Sequence, residues 1–220
     1  MMFNIHRFEK IDSTNKIARN YPAGSVVIAE IQHKGKGRFD RTWISNKGGL
    51  WLSIIVKPQR KICEYTFIAS LAVHNAINEK LDIKWPNDLY YKKKKLCGIL
   101  TEIYSVGNKV EKIIVGMGIN LNNKAPEEGI SLKDIKGKEI DIDDFLNKVL
   151  DNFGKLSNLG LPTIIRQYKK NCSMLGKQVK VVTLNKEVKG KAIDIDNEGN
   201  LILETENGKL RLNEGDTSIL

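Results

Sequence analysis

Three cysteines, Cys63, Cys97 and Cys172, are too few, too scattered and odd in number for a disulfide framework. The three histidines (His6, His33, His74) show no metal-ligand spacing and no Cys-x-x-Cys occurs, so no zinc site is expected. No apolar run approaches the ~18 residues of a membrane span. The start, Met-Met-Phe-Asn-Ile-His-Arg, lacks the apolar core of a signal peptide. These absences leave a reducing, cytoplasmic setting as the default, with no membrane partner. Catalytic signatures are missing too. There is no Gly-x-x-x-x-Gly-Lys-Ser/Thr loop, which excludes a P-loop nucleotide site. Gly116 and Gly118 lack the third glycine of a dinucleotide fingerprint, and no Gly-x-Ser-x-Gly or Ser/His/Asp set is present.

What the chain does have is positive charge, 36 Lys+Arg against 26 Asp+Glu for a net +10. That bias favours anionic partners but says nothing of fold. Its densest expression is residues 34–43, Lys-Gly-Lys-Gly-Arg-Phe-Asp-Arg-Thr-Trp. Gly35 and Gly37 let the backbone approach a ligand and turn N–H groups inward. Lys34, Lys36, Arg38 and Arg41 can grip phosphate or carboxylate oxygens, and Trp43 offers a flat face to an aromatic base. The segment reads as a loop for a nucleotide or another polyanion; the plainer alternative is a solvated basic turn.

Along the chain, residues 3–8 read as a strand and 16–21 as a short helix behind the cap candidates Asp12, Ser13, Thr14 and Asn15. Residues 25–31 form a buried strand that delivers Gln32 and the basic loop. A strand at 50–57 precedes the clearest helix, 64–80, with Phe67/Leu71 and Ile68/Ala72 at i, i+4 spacing. Extended structure at 82–84 runs into Trp85-Pro86-Asn87-Asp88, with Trp85 expected in the core. A hairpin with a lysine tip (92–95) and a buried strand at 110–119 follow, then a surface loop over 123–140. Helices are expected from 141 to about 156 and from Pro162 to about 170. From 179 onward, short alternating runs separated by Asn/Gly turns predict a small β-barrel docked on the larger part.

Taken in order, several of these stretches resemble the biotin–protein ligases of the short, cytoplasmic type. The carrying residues are Ser13-Thr14-Asn15, Gln32, Gly35-x-Gly-Arg-x-x-Arg-x-Trp43, Lys84-Trp-Pro-Asn-Asp88, Lys95-Leu-Cys-Gly-Ile-Leu-x-Glu102 and Gly116-x-Gly-Ile-Asn120. The resemblance spans essentially the whole chain. It implies an α+β fold: a mixed β-sheet flanked by helices, like the catalytic domain of class II aminoacyl-tRNA synthetases, over 1–172, and a small SH3-like barrel over 173–220.

The resemblance also implies a two-step, ATP-dependent ligation. Biotin becomes biotinyl-5′-AMP with release of pyrophosphate, and is then transferred to a lysine of a biotin carboxyl carrier domain. By the same likeness Lys84 and Arg38 are the catalytic candidates. Ser13, Thr14, Asn15, Gln32, Gly35, Lys36, Arg38, Lys84, Gly116 and Gly118 would hold biotin, the two last by leaving room for it. Arg38, Arg41, Trp43 and Asn120 would hold ATP, with Trp43 stacked on the adenine and Asn120 reading its edge. Mg²⁺ is implied with ATP and not by any protein motif, and a homodimer is implied as well. The loop is expected to order over the adenylate and shield it from water. Longer family members add an N-terminal DNA-binding unit and act as repressors; the chain opens on the catalytic motifs, so no DNA partner is expected.

Lys36 and Asp40 stand where the family often has Arg and Gly, and Cys97 where Ala is usual. The nearest rival is a lipoate ligase or octanoyltransferase, which shares the catalytic fold. A non-enzymatic nucleic-acid-binding module, suggested by the charge, is the other.

Overall fold

The computed structural model describes residues 3–183 and 186–220. Seven strands form the main sheet: β1 (Asn4–Ile11), β2 (Ser25–Gln32), β3 (Leu50–Val56), β4 (Asp82–Lys84), β5 (Asp88–Tyr91), β6 (Lys94–Val106) and β7 (Lys109–Ile119). Their order is β1-β2-β3-β7-β6-β5-β4. β1 and β2 run parallel and every other neighbouring pair antiparallel, so the sheet is mixed as expected.

The two faces follow from the period-2 alternation of strands. Val26 and Ile28 of β2, Leu52 and Ile54 of β3, and Val115 and Met117 of β7 point into the large core. There they meet Phe67, Ile68 and Leu71 of α2 (Ile62–Ala76), and Phe145, Val149 and Phe153 of α4 (Ile142–Ser157). The alternate residues Val27, Ile55 and Ile114 face the other way and pack with Ala18 of α1 (Thr14–Ala18). Ser53, Gly116, Gly118, Gly98 and Glu102 share that second face by register. It is the face on which the site is built.

Several element expectations need correction. The helix expected over 64–80 runs from Ile62 to Ala76, because Ile77 turns to extended backbone (φ −110°, ψ 122°). The first helix begins earlier than expected and is shorter. Residues 123–140 are not wholly loop: α3 (Leu132–Lys136) sits among them. Its signal is a Ser131/Asp134 capping box, in which Asp134 N donates to Ser131 Oγ and Ser131 N to Asp134 Oδ2. α5 (Leu161–Asn171) opens on Gly160 and carries Pro162 in its first turn.

The C-terminal strands are β8 (Gln178–Val182), β9 (Glu187–Ile195), β10 (Leu201–Thr205), β11 (Gly208–Leu212) and β12 (Asp216–Ile219). They form an antiparallel sheet in the order β11-β10-β9-β8-β12. The expected barrel is therefore not closed, since β11 and β12 are not hydrogen-bonded to each other. Instead the unit is sealed against the main sheet. The fully buried Trp85 donates from Nε1 to Gly199 O (3.0 Å) and accepts at its carbonyl from Thr217 Oγ1 (2.7 Å). Val179, Val181, Leu201 and Leu203 belong to the same apolar cluster as α2 and α4, so one core runs through both parts.

Candidate active site

On the sheet face opposite α2 lies a cavity of ≈550 Å³. Every residue that the family resemblance assigns to biotin, ATP or catalysis lines it except Gly35; Lys34 of the basic loop also lies outside the lining and pairs with Asp12 at 3.5 Å. Gly35 is buried behind the wall, where a Cβ would meet Trp43 O at 2.4 Å and Ser45 Oγ at 2.6 Å. The missing side chain lets the loop pass close to Ser45.

Strand β2 ends on Gln32, and the basic loop leaves from there as a narrow excursion. Trp43 N donates to Gly35 O (2.8 Å) and Gly37 N to Arg41 O (2.7 Å). At its tip, Phe39 (φ 55°) and Asp40 (φ 54°) both hold left-handed backbone, a conformation that residues other than glycine adopt reluctantly. Asp40 pairs with Lys36 at 3.3 Å on the exposed side.

Ser13 occupies the N-cap position of α1, yet its side chain makes no cap hydrogen bond, which leaves the hydroxyl to the cavity it lines. Thr14 N donates to Gln32 Oε1 (2.7 Å), and Gln32 Nε2 donates to Ser45 Oγ (2.8 Å). Asn15 is fixed from two sides: its Nδ2 donates to Glu102 Oε2 (2.6 Å) and its Oδ1 accepts from Ser53 Oγ (2.6 Å).

Gly116 and Gly118 line the cavity, but a Cβ on Gly116 would lie 2.3 Å from Asn15 Oδ1, and one on Gly118 would lie 2.3 Å from Trp43 Nε1. They make room for the protein's own side chains at the cavity wall. Gly98 likewise sits under the Trp43 ring, where a Cβ would lie 3.0 Å from Cζ3. Asn120 lines the cavity as well. Its Oδ1 accepts from Asn123 Nδ2 (2.9 Å) and its Nδ2 lies 3.5 Å from Lys95 O, contacts that anchor the side chain and leave one N–H and one lone pair over.

The cations converge from separate segments. Arg38 Nη1 donates to Asn87 Oδ1 (3.2 Å) and Gly215 O (3.0 Å). Lys84 Nζ makes a long contact to Tyr90 Oη (3.4 Å) and stands 5.1 Å from the centre of the same ring. Among the described residues neither is in an ion pair with a carboxylate, whereas Arg41 is held by Asp216 (2.5 Å) and Lys95 by Asp88 (2.7 Å). Burial pushes the Arg38 guanidinium below arginine's ordinary value, with Asp88, Asp216 and Glu214 pulling the other way; an arginine so placed stays charged. Burial, followed by Asp88 and Asp216, pushes the Tyr90 phenol well up, so it remains a neutral hydroxyl beside Lys84.

Asp88 and Lys95 stand within motifs that the sequence singles out, yet sequence alone assigns neither a role. Asp88 Oδ1 is buried and has no hydrogen-bond partner among the described residues, and Lys95 Nζ stands 5.1 Å from the Trp43 ring centre. Asp216 has no sequence signal at all, since its place in the wall depends on how the C-terminal sheet docks.

The family comparisons agree with this geometry. Residues 8–120 match the biotin/lipoate A/B protein ligase family, and 174–220 match the biotin protein ligase C-terminal domain. The chain belongs to that ligase family. It is 34% identical over 233 residues to the bifunctional ligase/repressor BirA of Bacillus subtilis, covering 95% of this chain and 72% of the relative. It is 29% identical to the biotin–[acetyl-CoA-carboxylase] ligase of Paracoccus denitrificans, covering 91% of this chain and 94% of that one. Among solved structures, the Aquifex aeolicus biotin protein ligase in complex with biotin and ATP superposes with a TM-score of 0.87 at 28% identity, over 99% of this chain and 98% of the other.

Proposed function

We propose that this protein is an ATP-dependent biotin–protein ligase. A biotin carboxylate oxygen bonds to the α-phosphorus of ATP as the bond to pyrophosphate breaks. A lysine amine then attacks the acyl carbon of biotinyl-5′-AMP, forming an amide and releasing AMP. The first step forces two anions together. The observation that carries the reading is that Arg38 and Lys84, from distant segments, line one cavity and, among the described residues, neither is locked in an ion pair with a carboxylate. Preorganised charge of this kind stabilises the developing charge of the transition state without reorganisation at the moment of reaction.

In this reading the Ser13, Thr14 and Gln32 end of the cavity takes the polar ring of biotin. Trp43 provides the adenine face, and Arg38 and Arg41 take the phosphates. The basic loop closes over the adenylate and keeps water from the anhydride. Among the described residues no group of three His, Cys, Asp or Glu forms a metal site. Mg²⁺ would arrive on the nucleotide's phosphates, where it typically keeps waters and few protein ligands. Asp88, with one unpartnered oxygen in the wall, is the carboxylate suited to it; the ion would supply charge neutralisation at the phosphates. Residues 1–172 are the catalytic unit and 173–220 its partner in the cavity wall. The acceptor is a biotin carboxyl carrier domain. A homodimer in the cytoplasm completes the proposal; among the described residues no helix is long and apolar enough to cross a membrane.

The lipoate alternative is less favoured, because the C-terminal match is to the biotin protein ligase domain. Incubation with biotin, Mg-ATP and a carrier domain should yield pyrophosphate and a biotinylated lysine. Pyrophosphate release with lipoate but not with biotin would reverse the assignment.

A further inference from the structure

Ser53 is the hydroxyl residue in an otherwise apolar strand, β3, and it is 0% exposed. It does not line the cavity, yet its Oγ lies 2.8 Å from Thr14 Oγ1 and 2.6 Å from Asn15 Oδ1. A hydroxyl carries one hydrogen, so these two contacts cannot both be donations by Ser53.

The surroundings decide where that hydrogen goes. Asn15 Nδ2 faces Glu102 Oε2 (2.6 Å) and Leu100 O (3.2 Å), both acceptors, so its two hydrogens are committed and Oδ1 must face Ser53. Ser53 therefore donates to Asn15. The short contact to Thr14 then requires the Thr14 hydroxyl to donate to Ser53 Oγ. Thr14 Oγ1 also lies 3.1 Å from Gln32 Oε1, but a donation there would leave the shorter Ser53 contact with no hydrogen in it. Gln32 Oε1 is held instead by Thr14 N–H at 2.7 Å, and Gln32 Nε2 gives one hydrogen to Ser45 Oγ, which donates onward to Trp43 O (3.0 Å). Within this network two groups remain for a ligand, lone pairs on Thr14 Oγ1 and the second hydrogen of Gln32 Nε2, beside the Ser13 hydroxyl that also lines the cavity.

We propose that Ser53 is a positioning residue that turns the Thr14 hydroxyl into a pure acceptor, tuning this end of the cavity to a ring bearing N–H donors beside a carbonyl acceptor. A cyclic urea has that pattern, whereas a dithiolane ring offers neither group. The inference rests on the biotin reading and extends it to a residue that touches no substrate. Without Ser53 the Thr14 hydroxyl keeps only the longer contact to Gln32 Oε1 (3.1 Å), which pulls on the group that must position Gln32, and Asn15 Oδ1 loses its donor; a buried polar atom left unmatched weakens the arrangement it holds.

The test is Ser53→Ala, with steady-state kinetics in biotin and in ATP and calorimetric titration of biotin. The expected result is a biotin KM and Kd raised about tenfold, one hydrogen bond's worth, with the ATP KM held within about twofold. Desthiobiotin, which keeps the cyclic urea, should suffer the same loss, and Ser53→Thr, which keeps the hydroxyl, should recover most of it. If Ser53→Ala fails to fold, Ser53→Cys carries the same readout, since a thiol is a poor donor of similar shape. Unchanged biotin affinity in a folded variant, or equal shifts in both KM values, would overturn the inference alone. Wild-type protein that binds no biotin would overturn the biotin reading along with it.

Discussion

Arg41 Nη1 lies 2.5 Å from Asp216 Oδ2, a bond between the basic loop and the first residue of β12. Beside it, Arg38 donates to Gly215 O. The C-terminal sheet thus holds the loop by the groups proposed to receive phosphate, and Asp216 occupies Arg41 as a phosphate would.

Removing that competitor should help the nucleotide. Arg41 is exposed and Asp216 half-buried, and solvent-accessible pairs are worth about 0.2–1 kcal/mol. Asp216→Asn should therefore lower the ATP KM by at most about fivefold while leaving the biotin KM unchanged. Pyrophosphate exchange at subsaturating ATP is the measurement; a raised ATP KM would mean that Asp216 supports nucleotide binding instead.

Lys84 is the sharper test of chemistry. Loss of one preorganised charged contact in the transition state costs about 2.7–4 kcal/mol, or 10²–10³ in rate. Lys84→Ala should reduce biotinyl-5′-AMP formation by that factor without unfolding the protein. Near-normal pyrophosphate release from the variant would remove Lys84 from its assigned place.

Gly118 gives an independent check on Trp43. A methyl there would meet the indole at 2.3 Å and push it out of its seat. Gly118→Ala should then behave like Trp43→Ala, weakening ATP far more than biotin in equilibrium binding. If the two substitutions affect different substrates, the indole is not the nucleotide platform.

The thiols should report the fold. Burial raises the Cys63, Cys97 and Cys172 thiols above their ordinary value, which disfavours the reactive thiolate. Cys97 and Cys172 are also buried, while Cys63 is partly exposed. At pH 8 a thiol reagent should label Cys63 alone, slowly, and all three only in denaturant. Rapid labelling of Cys97 in the native protein would contradict the packing beneath the site.

Much of this site is legible in the sequence because its motifs sit where strands end. Gln32 at the end of β2, Lys84 at the end of β4 and Asn120 just past β7 are polar residues closing apolar runs, and such residues face a cleft. The glycines are legible as places of close approach, but not what approaches: that depends on register, which sets Gly116 opposite Ser53 and Gly98 opposite Gly118. α3 escapes a periodicity reading because five residues carry no helical period. Asp216 and the open C-terminal sheet lie beyond reach, because both are set by docking between segments far apart in sequence. Asp40 is by residue type poorly suited to φ > 0, and it holds that conformation together with Phe39.

The shared core has a last consequence. Trp85 is covered by the turn at Gly199 and by Thr217, so a fragment ending at residue 172 would uncover that indole and the apolar wall around it. The two parts should therefore melt together, and neither is a detachable module: a swap of C-terminal sheets between relatives would have to carry its half of the seam with it.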